Sequence, residues 1–158
     1  DYYNVMGKPI DTIVCMDGCE VIGAFLASEL TKAGVLSMNA HKTIYVVSPE
    51  YDSNGLMIFR DNLKHEIKNR NVLLLLASAS TGTTVKNCIE CVSYYGGILQ
   101  GISAIFSAVD NVDGYHIDSL FKADDIPGYN IYSHNDCPMC KANEKIEAIV
   151  NGYGYSEL

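Results

Sequence analysis

Positive charge is what this sequence has least of. Eleven Lys and Arg stand against 19 Asp and Glu, a net charge of −8 over 158 residues. A protein that wraps a nucleic-acid duplex needs a basic footprint, so that class is excluded, leaving room only for a local site for a small anion. No apolar run approaches the roughly 18 residues of a membrane span. The longest, residues 72–77, is one buried strand's worth. The four histidines (His41, His65, His116 and His134) are scattered, and none pairs with a recognisable nucleophile. A Cys-His or Ser-His hydrolase therefore has little support. The Gly-Lys-Ser/Thr of a Walker loop is absent, as are internal repeats and low-complexity stretches. Asp1-Tyr2-Tyr3-Asn4 is polar, with no signal-peptide pattern and no initiator Met. It reads as a trimmed start to a single domain, 1–158, of a cytoplasmic protein.

What is present suits a globular core: 48% of the residues are hydrophobic and 19% charged, a composition far from disorder. Residues 12–16, 43–47, 72–77, 98–109 and 115–121 read as strands. Residues 20–33 read as a helix with Val21, Ala24, Phe25, Ala27, Leu30 and Ala33 on its apolar face and Gly34 as its stop. Residues 84–95 read as a second helix, with Val85, Cys88, Ile89 and Val92 on one face and Gly96-Gly97 after it. Residues 48–54 read as a mobile loop, 60–68 as a short helix or the return of that loop, 124–138 as turns, and 144–150 as a short C-terminal helix. Strands alternating with helices predict an α/β fold, a doubly wound, mostly parallel sheet with flanking helices. Continuously apolar strands are those covered on both faces.

Such sheets bind ligands beyond the carboxyl ends of their strands. Two segments fall there. In one, a hydrophobic strand runs through Ser80, Thr81, Gly82, Thr83 and Thr84 into a helix. Gly82 allows a tight turn, small side chains leave backbone N–H groups open, and the helix start favours an anion. The same residues also fit a plain strand-to-helix turn capped by Thr. The other segment is Asp17-Gly18-Cys19-Glu20, after the first strand. Cys19 reads as a small turn residue, or as a thiol near a helix start.

The six cysteines form three close pairs: 15/19, 88/91 and 137/140. Without a secretory signal they read as reduced thiols rather than a disulfide framework. Cys88 and Cys91 sit three apart on a helix, as packing residues. Cys137-Pro138-Met139-Cys140 has half of a metal knuckle's spacing, with His134 as a third candidate ligand. With no second knuckle, a tight turn packing the tail is the preferred reading and no metal site is assigned. A thioredoxin-like role lacks its long helix after a buried strand.

Residues 72–84 resemble the phosphoribosyl-diphosphate signature of type I phosphoribosyltransferases: a hydrophobic strand, two acidic residues, two small or apolar residues, then a Thr-Thr-Gly-x-Thr/Ser loop. Residues 13–27 are similar to that family's first strand, diphosphate loop and helix. Cys137-Pro138-Met139-Cys140-Lys141 is similar to the tail of some orotate phosphoribosyltransferases. Together these cover most of residues 10–150. The resemblance implies a five-stranded parallel sheet with a flexible hood or loop. It implies a 5-phosphate cradle at Ser80, Thr81, Gly82, Thr83 and Thr84, a diphosphate loop at Asp17, Gly18, Cys19 and Glu20, and a mobile catalytic loop near residues 51–56. It also implies phosphoribosyl diphosphate or another sugar phosphate as ligand, Mg²⁺ as cofactor, a homodimer, and transfer of ribose 5-phosphate to a base such as orotate. The two acidic positions fall on Leu76 and Ala77, and residues 48–55 carry no lysine. The sugar therefore loses its family carboxylates, and the diphosphate its lysines unless Arg60, Lys64, Lys68 or Arg70 substitutes; the default reading of those four is a solvated helix face. A catalytically weak or inactive binding domain is the alternative to an enzyme, and no catalytic residue is assigned.

Overall fold

A computed structural model describes residues 9–32, 39–40, 42–133, 135–151 and 154–158. Gly34, His41 and His134 lie outside the described residues. The chain forms two compact units, Asp1–Lys122 and Ala123–Leu158.

The first unit is built on β1 (Thr12–Cys15), α1 (Glu20–Lys32), β2 (Tyr45–Val47), β3 (Glu50–Tyr51), β4 (Met57–Ile58), β5 (Asn71–Ala79), α2 (Thr83–Tyr94), β6 (Ile98–Ser107), β7 (Asn111–Val112) and β8 (Tyr115–Lys122). Its main sheet has six strands in the order β2-β1-β5-β6-β8-β7. Five of them run parallel, and the two-residue β7 adds an antiparallel edge to β8. The expected five parallel strands are thus present, plus one the sequence reading missed.

Alternation along β5 explains why both faces are apolar. Val72, Leu74 and Leu76 join one cluster with Val85, Cys88 and Val92 of α2. Leu73 and Leu75 join the other, with Ile13, Cys15, Ala27 and Leu30. Each fully buried side chain of this size contributes about 1.5–3 kcal/mol, so the central strand anchors both helices.

The buried face of α1 differs from the expected one. Val21 and Phe25 are 69% and 70% exposed, and the helix packs through Gly23, Ala27 and Leu30. The reason is close approach: a Cβ on Gly23 would stand 2.4 Å from the Cys15 sulfur and 3.1 Å from Val46. Only glycine lets α1 lie this near β1, and that rotation turns Val21 and Phe25 outward.

The stretch read as a mobile loop contains an antiparallel hairpin over residues 50–58, β3 with β4. The Asp52 carboxylate accepts the N–H groups of Asn54 and Leu56 at 2.8 Å each and closes the turn. Arg60 clasps Glu50 in an exposed ion pair. The Cys88 and Cys91 thiols lie 3.5 Å from the sulfur and carbonyl oxygen of Met57, fixing the hairpin to α2. The helical stretch within 60–68 is only a 3₁₀ turn, Lys64–Glu66.

The second unit contains a 3₁₀ turn (Ala123–Asp125), one turn of helix α3 (Pro138–Lys141), and a hairpin of β9 (Ala148–Asn151) with β10 (Gly154–Glu157). The expected helix over 144–150 is absent. β-branched Ile149 and Val150 favour a strand, Asn143 at φ 55° ends α3, and Gly154 at φ 131° helps return the chain.

Candidate functional site

Both predicted ligand loops leave the C-terminal edge of the parallel sheet. Cys15 pairs with Leu75 in the adjacent strand, so the loop after β1 and the loop after β5 open from neighbouring positions.

The loop after β5 is the more built of the two. The strand runs two residues beyond the expected 72–77, to Ala79, and α2 begins at Thr83. Gly82 occupies the cap position at φ 80°, ψ −2°, with no side-chain cap. Glycine, not threonine, makes the turn, because this left-handed backbone costs an L-residue about 1–2 kcal/mol. The first N–H groups of a helix lack intrahelical acceptors, and here the cap residue, a glycine, offers them no side chain. Ser80, Thr81 and Thr83 are exposed, and the Thr81 and Thr83 hydroxyls lie 3.0 Å apart. That spacing sets two hydroxyls and the helix start around one small volume, a chemistry suited to phosphate oxygens.

Beneath Gly82 lies a contact the sequence reading missed. A Cβ there would stand 2.7 Å from Val112 Cγ2 and 3.7 Å from Val109 Cγ2. Val112 belongs to β7, and Asp113 and Gly114, at φ 49° and 85°, make the turn into β8. The Asp-Gly dipeptide was the available signal for that hairpin. Lys122 holds Asp110 at 2.6 Å, and the Asp110 carbonyl accepts the Ile117 N–H at 2.9 Å.

The loop after β1 is tighter and acidic. Asp17 and Gly18 are both left-handed, at φ 55° and 78°, and both are exposed. A Cβ on Gly18 would meet nothing within 4 Å, so its glycine serves the backbone rather than a close neighbour. Although Asp17 is exposed at its surface, partial loss of hydration within the turn raises its carboxyl. Cys19 is buried, and burial followed by the charges of Asp17 and Glu20 raises its thiol. The exposed-thiol reading of Cys19 is thereby corrected. Glu20 accepts the Ser48 hydroxyl at 2.7 Å, tying this loop to the chain after β2, a contact without a sequence signal. Burial, and lesser repulsion from Cys88 and Asp17, raises the Tyr51 phenol of the β3–β4 hairpin.

Three of the four candidate substitute cations are already paired or distant. Arg60 and Lys64 are held in exposed pairs with Glu50 and Asp61. Arg70 precedes the nine-residue β5, roughly 30 Å from the opposite end at about 3.3 Å per residue.

Nor do the residues fit the Mg²⁺ that this kind of site implies. Leu76 is fully buried in the α2-side core, and Ala77 is half-buried against the other face; neither carries an oxygen ligand on its side chain. Hard Mg²⁺ takes oxygen ligands, and among the described residues no cluster of three His, Cys, Asp or Glu is placed to hold a metal. No helix among the described residues is long and apolar enough to cross a membrane.

A central parallel sheet, helices on both faces and two loops on its C-terminal edge define an open α/β ligand-binding architecture. Solved structures specify it further. An adenine phosphoribosyltransferase from Trypanosoma brucei, in complex with AMP, pyrophosphate and ribose-5-phosphate, superposes with a TM-score of 0.56 at 15% identity, covering 91% of this chain and 72% of that one. The adenine phosphoribosyltransferase of Thermoanaerobacter pseudethanolicus gives 0.53 at 21% identity, over 77% of this chain and 74% of that one. The UMP synthase of Leishmania donovani gives 0.51 at 16% identity, over 78% of this chain but only 25% of that one. No family model matches the sequence, and no curated protein matches it significantly. The chain has the type I phosphoribosyltransferase fold, in a divergent form.

Proposed function

We propose that this protein binds a phosphoribosyl ligand and acts as a weak phosphoribosyltransferase of nucleotide metabolism, with a pyrimidine such as orotate as its acceptor. Ser80, Thr81, Gly82, Thr83 and Thr84 hold the 5-phosphate. Asp17, Gly18, Cys19 and Glu20 face the diphosphate end of phosphoribosyl diphosphate. The observation that carries the reading is Gly82 at φ 80°, which turns β5 into α2 with exposed hydroxyls and an uncapped helix start. The pyrimidine preference rests on the resemblance of Cys137-Pro138-Met139-Cys140 to the orotate enzymes' tail. A homodimer belongs to the same proposal by fold analogy.

In the transfer, a ring nitrogen of the base bonds to the anomeric carbon while that carbon's bond to diphosphate breaks. The protein's part is to position the reactants and stabilise charge. Positive charge grows on the sugar and negative charge on the leaving group. Leu76 and Ala77 offer no carboxylate to the first, and Asp17 and Glu20 oppose the second. One missing electrostatic partner in a dry site costs about 2.7–4 kcal/mol, or roughly 10²–10³ in rate. Slow transfer follows from two such losses.

A non-catalytic sugar-phosphate module is the second reading, favoured by the full burial of Leu76 in the core. Calorimetric titration with phosphoribosyl diphosphate, ribose 5-phosphate and ribose tests the site, and a coupled orotate turnover assay separates the two readings. Binding of both phosphorylated ligands but not ribose, with turnover well under about 1 s⁻¹, is the expected result. No binding of either phosphorylated sugar at millimolar concentration would overturn the site assignment. Binding without any product would select the non-catalytic module.

A further inference from the structure

The six thiols divide by reach. Cys15, Cys19, Cys88 and Cys91 are buried, whereas Cys137 is half-buried and Cys140 exposed. Burial pushes the Cys15 and Cys88 thiols up to about 12 and the Cys91 thiol up to about 11. Thiolates, not thiols, react with disulfides, so these buried groups are both unreachable and in the wrong form.

The pair in α3 is arranged differently. Cys137 caps the single helical turn in extended backbone geometry, and Pro138 follows it. The two thiols thus stand three residues apart on one exposed turn. Hydrogen bonds from Cys140 hold the Cys137 thiol below its ordinary value, with Glu144 opposing. Cys140, favoured in its protonated form by that contact, is raised. One sulfur is thus favoured as the attacking thiolate, and its neighbour keeps a proton until the second step.

Closure asks the two Cβ atoms to approach by about 1–2 Å. Side chains three apart on a helical turn have Cβ atoms about 5–6 Å apart, and a disulfide requires about 3.5–4.5 Å. The turn is closed by the Lys141 N–H to the Cys137 carbonyl at 3.1 Å and the Ala142 N–H to the Pro138 carbonyl at 2.9 Å. Pro138, Met139, Cys140 and Lys141 are all exposed, so drawing the sulfurs together disturbs no buried side chain within the turn.

We propose that Cys137 and Cys140 are a redox-active dithiol that exchanges with low-molecular-weight disulfides such as oxidised glutathione. The Cys137 thiolate attacks one sulfur of the disulfide, forming a mixed disulfide and releasing one glutathione thiolate, which takes up a proton. Cys140 then loses its proton and attacks the Cys137 sulfur. The protein disulfide forms and the second glutathione leaves. Two electrons pass from the protein to the oxidant, and two glutathione thiols are produced. The one-turn helix makes this an exposed acceptor of oxidation rather than a thioredoxin-like catalyst, and the proposal does not rest on the sugar-phosphate reading.

The test is equilibration of the full chain in glutathione buffers of graded ratio, followed by acid quenching, alkylation and peptide mass spectrometry. Expected is the joint loss of alkylation at Cys137 and Cys140 as the buffer becomes oxidising, with the other four cysteines reduced throughout and reactive only after denaturation. Cys140→Ser should trap one glutathione on Cys137, and Cys137→Ser should slow adduct formation at least tenfold. Continued alkylation of both cysteines across the whole series would overturn the proposal. So would a disulfide between chains, or zinc bound to the purified protein that blocks exchange.

Discussion

Replacing Gly82 with alanine tests the site where fold and ligand meet. Two costs are separable. The first is backbone: Gly82 sits at φ 80°, and a Cβ in the left-handed region costs about 1–2 kcal/mol. The second is packing: the new methyl would stand 2.7 Å from Val112 Cγ2, on a β-branched side chain with little rotamer freedom, which adds about 1–3 kcal/mol of overpacking. Together they predict a loss of about 2–5 kcal/mol in urea unfolding, and at least a tenfold weaker titration with ribose 5-phosphate in protein that remains folded. Val112→Ala in the same chain should return the packing part but not the backbone part, so the double-mutant cycle should show favourable coupling of about 1–3 kcal/mol. Gly82→Val should abolish phosphate binding altogether. Unchanged stability and affinity in Gly82→Ala would refute both the turn geometry and its use as a cradle.

Leu76→Glu should destabilise by more than about 3 kcal/mol, through lost burial and a carboxyl in a dry core. Ala77→Asp, at a half-buried position, should cost far less; equal losses in chemical denaturation would contradict the facing of β5. Adding Mg²⁺ should change the calorimetric affinity for phosphoribosyl diphosphate by less than about threefold, because this edge lacks the oxygen pair a hard cation needs; a strong dependence would assign Asp17 or Glu20 to the metal. Stability should fall as pH rises above the ordinary thiol value of 9.0 toward the folded values of about 12 for Cys15 and Cys88 and about 11 for Cys91. The unfolded thiols release their protons first, so each contributes a loss of up to about 1.4 kcal/mol per pH unit in that window. Denaturation midpoints that do not fall between pH 9 and 11 would refute their burial in the folded state.

The centre of the main sheet was legible because β1 and most of β5 are apolar without alternation, and Gly96, at φ 77°, ended α2 as its sequence position suggested. The buried face of α1 was not legible. Hydropathy favours Val21 and Phe25, whereas the geometry is set by what a glycine at 23 allows against Cys15, a relation between two elements that no single-helix pattern contains. The hairpin over residues 50–58 was not legible for a related reason. Turn residues marked a bend correctly, but the contacts that make it a hairpin come from Cys88 and Cys91, about 30 residues downstream. In the tail, a four-residue helix and a hairpin are too short for periodicity to separate. Of the candidate site, the loop residues and the departures at Leu76 and Ala77 were readable. Val112 beneath Gly82 and Ser48 on Glu20 are long-range contacts and were not.

The two halves of the phosphoribosyl signature make different physical demands. Gly82 serves the fold whether or not a ligand binds: it is the turn between the central strand and its helix, and Val112 closes the space behind it. A carboxylate at position 76 would serve only the ligand. That position lies in the core under α2, where leucine contributes about 1.5–3 kcal/mol of burial and an unpaired carboxylate costs stability. A chain with leucine there gains stability and gives up transition-state charge, while keeping the loop that binds phosphate. Phosphate binding can therefore persist without efficient transfer in this fold. Affinity for the 5-phosphate should respond to Gly82 and Thr81, whereas transfer rate should be limited elsewhere on the edge, at Leu76, Ala77, Asp17 and Glu20.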